Sequence, residues 1–201
     1  MNDNRRTQAE RSAETRESLI AAARSLFAAH GFADVALETI VRAAGVTRGA
    51  LYHHFPDKTE LFAAAFEQVE GEVAARMGEA IASADETDPV EVMRLGARFW
   101  LDACADPEIQ RIVLVDAPAV LGWTRWTEIG NRYNTGLVRD MLTSAIQSGR
   151  IPPQPVEATA LTMLGAMREA TLYVALAQDH DQARREAGSV IDRLIGVLGG
   201  L

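Results

Sequence analysis

The stretch "GVTRGALYHHFPDK", Gly45 to Lys58, gathers an arginine, a tyrosine, two adjacent histidines and the chain's only lysine. Three roles compete for such a set: a metal site, a piece of core, or a surface that touches something charged. Neighbouring side chains on a helix point about 100° apart, so His53 and His54 cannot easily share one ion, and no cysteine or paired carboxylate stands near them. For any single residue the plainer explanation is a surface helix with incidental His and Tyr. Here a turn, a cap, small residues and a basic flank agree at consistent spacing, which favours contact with nucleic acid.

The elements that must position these residues are helices. "SLIAAARSLFAAHGF" puts Leu19, Ile20, Ala23, Leu26 and Phe27 on one stripe, with Gly31 as its stop. "LETIVRAAG" repeats the pattern with Leu37, Ile40, Val41 and Ala44 and ends at Gly45. Thr47 is a good N-cap for a short third helix through Phe55, whose inner face is Leu51 and Phe55. Pro56-Asp57 breaks it, and "KTELFAAAFEQVEGEVAARM" begins a long fourth helix. The second and third helices, joined by a Gly-Val turn, make a helix-turn-helix, whose second member lies in the DNA major groove. That leaves Arg48, Gly49, Ala50, Tyr52 and His53 on the outer faces. Arg48 is a forked donor for guanine edges or phosphate, and small Gly49 and Ala50 let backbone come close to bases. Tyr52 and His53 offer polar tips at phosphate height, and Lys58 adds charge beside a helix N-terminus.

Further along, "DPVE" and "DPEI" each pair an Asp N-cap with a Pro at the first helical position. A helix after Trp123 is expected to reach about Ser148. The loop "RIPPQP" separates it from two more, about Val156–Gln178 and Asp181–Leu198. No strand pattern competes, so the fold class is all-α with about nine helices. With 48% hydrophobic residues, global disorder is excluded. The longest apolar runs, such as "IVLV" at Ile112–Val115, are too short to span a bilayer, and no secretion signal is visible. Cys104 is the only cysteine, so no intramolecular disulfide is possible. The expectation is a soluble, cytoplasmic protein with no membrane partner. The net charge of −8 argues at first against DNA, but residues 1–60 hold eight Arg/Lys and eight Asp/Glu, so the acidity lies wholly beyond them.

"GFADVALETIVRAAGVTRGALYHHFPDKTELF" resembles the N-terminal DNA-binding region of the TetR family of one-component bacterial repressors, over about fifty residues from Leu19 to near Val69. The rest is similar only in layout. The resemblance implies a homodimer on a palindromic double-stranded operator, released when a small molecule enters the C-terminal domain. It assigns base or close-groove contacts to Arg48, Gly49 and Ala50, and phosphate contacts to Thr47, Tyr52, His53 and Lys58. His54 is a weaker candidate. Glu38 falls where some members place a base-reading residue. The domain division that follows is a flexible basic arm over 1–14, a helix-turn-helix domain over 15–60, and a ligand-binding and dimerisation bundle over 61–201. One departure stands out: the family usually opens its second helix with Thr or Ser, and this chain has Val35-Ala36. One fewer phosphate contact per subunit is expected, or a helix opened differently.

Trp100, Trp123, Trp126, Tyr133, Met163 and Met167 suit an apolar cavity for a small apolar or aromatic effector, with Cys104 a buried small hydrophobe beside them. Leu161 and Leu164 on the eighth helix, with Ile191 and Leu194 on the ninth, are the expected dimer surface. No Ser-His-Asp set, phosphate loop or metal cluster is present in the sequence, so neither an enzyme nor a cofactor is expected. The alternative is a helical ligand-sequestering protein with a weakened DNA-binding domain.

Overall fold

Thr7 opens the first helix with a reciprocal cap: its hydroxyl accepts from the Glu10 N–H, and the Glu10 carboxylate accepts from the Thr7 N–H. The computed structural model describes residues 7–199, and all the regular structure in them is helical. This first helix, α1 (Gln8–His30), takes in residues 8–14 of the expected flexible arm, because the cap nucleates helix there. Arg11 and Arg16 are therefore helical, while Arg5 and Arg6 lie outside the described residues.

Then come α2 (Leu37–Ala44), α3 (Arg48–His54) and the long α4 (Lys58–Ser83), whose Asp57 cap accepts from Glu60 N. Next are α5 (Pro89–Ala103) and α6 (Pro107–Ile109), opened by Asp88 and Asp106 as their Asp-Pro signatures predict. The short α6 runs into a π-helical segment (Gln110–Asp116) and on into α7 (Ala117–Gln147). Within α7, Gly122 departs from helical geometry at φ 74° and ψ 161°, a left-sided φ that glycine adopts without strain. The last two helices are α8 (Val156–Leu176) and α9 (His180–Leu198).

Two main cores hold these helices. The first joins Leu19, Phe27, Ile40 and Leu51 of the small N-terminal helices to Phe62 and Phe66 of α4, and continues through Ile112 to Trp126 and Ile129. Phe62 meets Phe27 and Phe32 edge-on at 5.3 and 5.2 Å, an arrangement favoured by ring quadrupoles. The second core packs Val90, Met93, Leu142, Ile191 and Ile195 between α5, α7 and α9. The expected division at residue 60 falls in the first turns of α4, and the first core runs straight across it. Polar ties span the same junction. Arg24 of α1 reaches Glu108 at 2.7 Å and Glu72 at 2.6 Å, and Phe32 N donates to Asp116 at 2.7 Å.

Candidate nucleic-acid interface and ligand cavity

At the turn between α2 and α3, Gly45 sits at φ 67° and gives its N–H to Arg42 and Val41 carbonyls, a left-handed stop. Thr47 then caps α3, its Oγ1 accepting from Ala50 N at 3.2 Å, which leaves the hydroxyl proton free for an outside acceptor. Leu51 and Phe55 are buried, so α3 turns Arg48, Gly49, Tyr52 and His53 outward; Ala50 is only half-exposed. A Cβ added at Gly49 would meet nothing nearer than Thr47 Oγ1 at 3.9 Å. The fold itself does not require a glycine there, and the vacant space faces outward. Arg48 lies 3.2 Å from Glu38 of α2, and its guanidinium sits over the Tyr52 ring at 5.6 Å. Arg48 and Glu38 are both well exposed, and such a pair is held weakly, so either side chain can leave it for a base or phosphate.

Lys58 is placed differently from the sequence expectation. Its Nζ donates to the Val35 carbonyl at 2.8 Å and sits over the Phe32 ring at 4.2 Å. Burial lowers its pKa, with Asp34 acting the other way. Ala36 caps α2 with no side-chain hydrogen bond, and the Lys58 ammonium ties down the loop before it through the Val35 carbonyl. The helix is indeed opened differently. As for the paired histidines, no group of three or more His, Cys, Asp or Glu among the described residues is placed to hold a metal.

The second feature is a cavity of about 130 Å³ inside the C-terminal bundle. Of the residues assigned to a cavity from sequence, Trp100, Trp126, Met163 and Met167 line this one. Trp100 is oriented by its indole N–H, which donates to Thr171 Oγ1 at 3.0 Å. Three expected wall residues lie elsewhere. Cys104 is buried behind the wall as the C-cap of α5, and burial pushes its thiol up to about 12. Trp123 is 56% exposed, because the backbone break at Gly122 directly precedes it, and it packs edge-on against Trp126. Tyr133 is one position off the inward row Trp126, Gly130, Asn134, Val138, so it turns about 100° away and donates to Glu67 at 3.1 Å.

The cavity also holds polar groups that sequence reasoning did not assign. Glu70 of α4 is 3% exposed, and burial raises its carboxyl to about 7 against the opposing hydrogen bond from Asn134. Arg168 of α8 lines the cavity too and lies over the Trp123 and Trp126 rings at 4.9 and 5.6 Å. Glu70 looked like one more charge in an amphipathic helix; only its position between Val69 and Val73, on the apolar side, hinted at burial.

The four residues expected at the dimer surface divide in placement. Leu161 and Leu194 are exposed, joined by Tyr173, Leu176, Val190 and Val197 on the same two helices. Ile191 instead belongs to the second core at 3% exposure, and Leu164 lines the cavity. The apolar stripe of α9 is wide enough to serve two surfaces, with Ile191 and Ile195 inward and Val190 and Leu194 outward.

A small helix-turn-helix resting on a helical bundle with an internal cavity defines a one-component transcriptional regulator. Residues 19–65 match the model for bacterial regulatory proteins of the tetR family, and residues 90–198 match that for the tetracyclin repressor-like C-terminal domain. The chain belongs to the TetR family and is a DNA-binding transcriptional regulator. It is 30% identical to the HTH-type transcriptional regulator CymR of Pseudomonas putida over 195 residues, covering 96% of this chain and 95% of that one. A TetR-family regulator from Pectobacterium atrosepticum superposes with a TM-score of 0.84 at 34% identity, covering 96% and 97% of the two chains. RolR, solved in complex with resorcinol, shares the fold with a TM-score of 0.75 at 21% identity, covering 96% and 93%. No helix among the described residues is long and apolar enough to cross a membrane.

Proposed function

We propose that the protein is a cytoplasmic homodimeric repressor that holds a palindromic operator and leaves it when a small, largely apolar ring compound enters the bundle. The observation that carries the reading is the cavity: Trp100 and Trp126 with Met163 and Met167 enclose about 130 Å³, close to the roughly 150 Å³ that admits a benzene ring in an engineered apolar cavity. The single-ring ligand of the fold relative RolR is of the same scale. Helix α4 supplies the route to DNA. Glu70 faces the cavity and Lys58 opens the same helix twelve residues earlier, about 18 Å away along the axis. In a dimer the two α3 helices must sit about one DNA turn apart, roughly 34–36 Å, so a shift of a few ångströms in α4 spoils the match.

On the DNA side, Thr47, Arg48, Gly49, Tyr52 and His53 form the contact surface, with Ala50 close behind it and Glu38 beside Arg48. Leu161, Leu194 and the apolar side chains exposed around them on α8 and α9 form the dimer surface. The test is footprinting on the DNA flanking the gene. A protected palindrome, with Arg48→Ala losing discrimination at particular base pairs by about 1–3 kcal/mol each, supports the reading. Ligand binding without any sequence-specific protection would instead favour a sequestering protein.

A further inference from the structure

We infer that Glu70 is the polar anchor of the cavity and that the effector is a neutral single-ring aromatic carrying a hydroxyl, which donates its proton to the Glu70 carboxylate. This rests on the reading of the cavity as the effector site and adds the chemistry it selects. Glu70 Oε2 accepts from Asn134 Nδ2 at 3.1 Å, while Oε1 meets no donor among the described residues. Asn134 has nothing further to give, because the same Nδ2 also donates to the Gly130 carbonyl at 2.9 Å and so spends both its protons. Glu70 lines the cavity, so a ligand that supplies a donor to Oε1 gains a charge-assisted hydrogen bond there.

The remaining wall favours a neutral ligand over a charged one. A carboxylate in the ligand would face the ionised form of Glu70 across a small space, with the Arg168 guanidinium on the wall to offset only part of the repulsion. A cationic ligand would satisfy Glu70, but it would share the cavity with the Arg168 guanidinium over Trp126. A neutral hydroxyl avoids both conflicts. It also serves either protonation state of Glu70, donating to the carboxylate or accepting from the acid. An ether of the same shape can only accept, so it is served by the acid form alone. The cavity volume limits the ligand to about one ring with a short substituent.

Calorimetry on the full chain without DNA, at pH 7.5, tests this with 4-ethylphenol, 4-ethylanisole and 4-ethylbenzoate as probes. The phenol is expected to bind about tenfold or more tightly than either analogue, the size of a hydrogen bond lost at a charged group. In Glu70→Leu the preference of phenol over anisole should fall to about twofold. In Glu70→Gln, which keeps size and an acceptor, part of that preference should remain and the benzoate should gain affinity. Equal binding of phenol and anisole to the unaltered protein, a preference unchanged in both variants, or no binding of the phenol overturns the Glu70 assignment. Operator release is a separate readout. Phenol binding that depends on Glu70 but leaves operator affinity unchanged would overturn the effector reading and leave the anchor standing.

Discussion

The guanidinium of Arg125 holds the carboxylate of Glu60 through two parallel hydrogen bonds, at 2.5 and 2.8 Å. Arg125 is the chain neighbour of Trp126, which lines the cavity, and Glu60 sits in the first turn of α4 beside Lys58. The pair therefore links a cavity wall to the base of the DNA-binding helices in a single step. Each partner favours the other's charge: Arg125 lowers the Glu60 pKa, and Glu60 raises that of Arg125. Both side chains are about 40% exposed, so the pair contributes little to stability, within about 1 kcal/mol. Its expected importance is in coupling. Arg125→Gln should bind 4-ethylphenol and operator separately with near-normal affinity, yet show weakened release of one by the other. Gel-shift titrations with and without the phenol measure this directly, and full coupling in the variant would remove Arg125 from the route.

Lys58 gives a prediction that separates structural from DNA-contact roles. In Lys58→Met the stem remains, but the Val35 carbonyl loses its ammonium donor and Phe32 its cation. Thermal unfolding should show a loss of about 1.5 kcal/mol, with operator binding weakened at every sequence alike. An unchanged melting temperature, with a salt slope one unit shallower, would mean that Lys58 leaves the loop to bind phosphate.

How much of this was legible beforehand depends on sequence distance. The Gly45 turn, the Thr47 cap and the Asp88 and Asp106 caps are local events, written within four residues of where they act, and they stand as read. The capture of Val35 by Lys58 spans 23 positions and the bond between Asn134 and Glu70 spans 64, and no periodicity reports such meetings. Trp123 was misplaced because composition gives a tryptophan no direction, whereas a single glycine at 122 does. Ile191 and Leu194 share one apolar stripe, and only packing reveals which side of it faces the chain's own core.

Glu70 predicts a pH dependence. Its carboxyl titrates near 7 in the folded chain, against 4.5 for the ordinary group. Between those values the folded state binds more protons than the unfolded state, so stability falls as pH rises from about 4.5 through about 7. The groups electrostatically coupled to it, Cys104 and Tyr133, are both pushed upward and stay neutral in this window. Unfolding of the unaltered protein and Glu70→Gln should therefore diverge with pH. The variant should gain on the order of 3 kcal/mol relative to the parent between pH 5 and pH 8. A constant difference across that range would show that the folded carboxyl is not raised.

The split of the α9 stripe is testable by two substitutions three residues apart on the same helix. Leu194→Glu changes an exposed residue, so the chain should stay folded and sediment as a monomer. Ile191→Ala opens a hole in the second core and should lose about 2–5 kcal/mol of stability while remaining dimeric. Should Leu194→Glu sediment as an intact dimer, this part of α9 is not at the interface.

The central claim is that occupying the cavity releases DNA, and the most direct measurement is fluorescence anisotropy of a labelled operator duplex titrated with 4-ethylphenol. Operator affinity is expected to fall at least about tenfold, with half the effect at the concentration that half-saturates the cavity in calorimetry without DNA, allowing for linkage. Met167→Arg, which places a bulky charge on the cavity wall, should still bind the operator but no longer respond to the phenol. Saturation of the cavity with operator affinity unchanged would contradict the account, because a ligand with equal affinity for both states shifts neither.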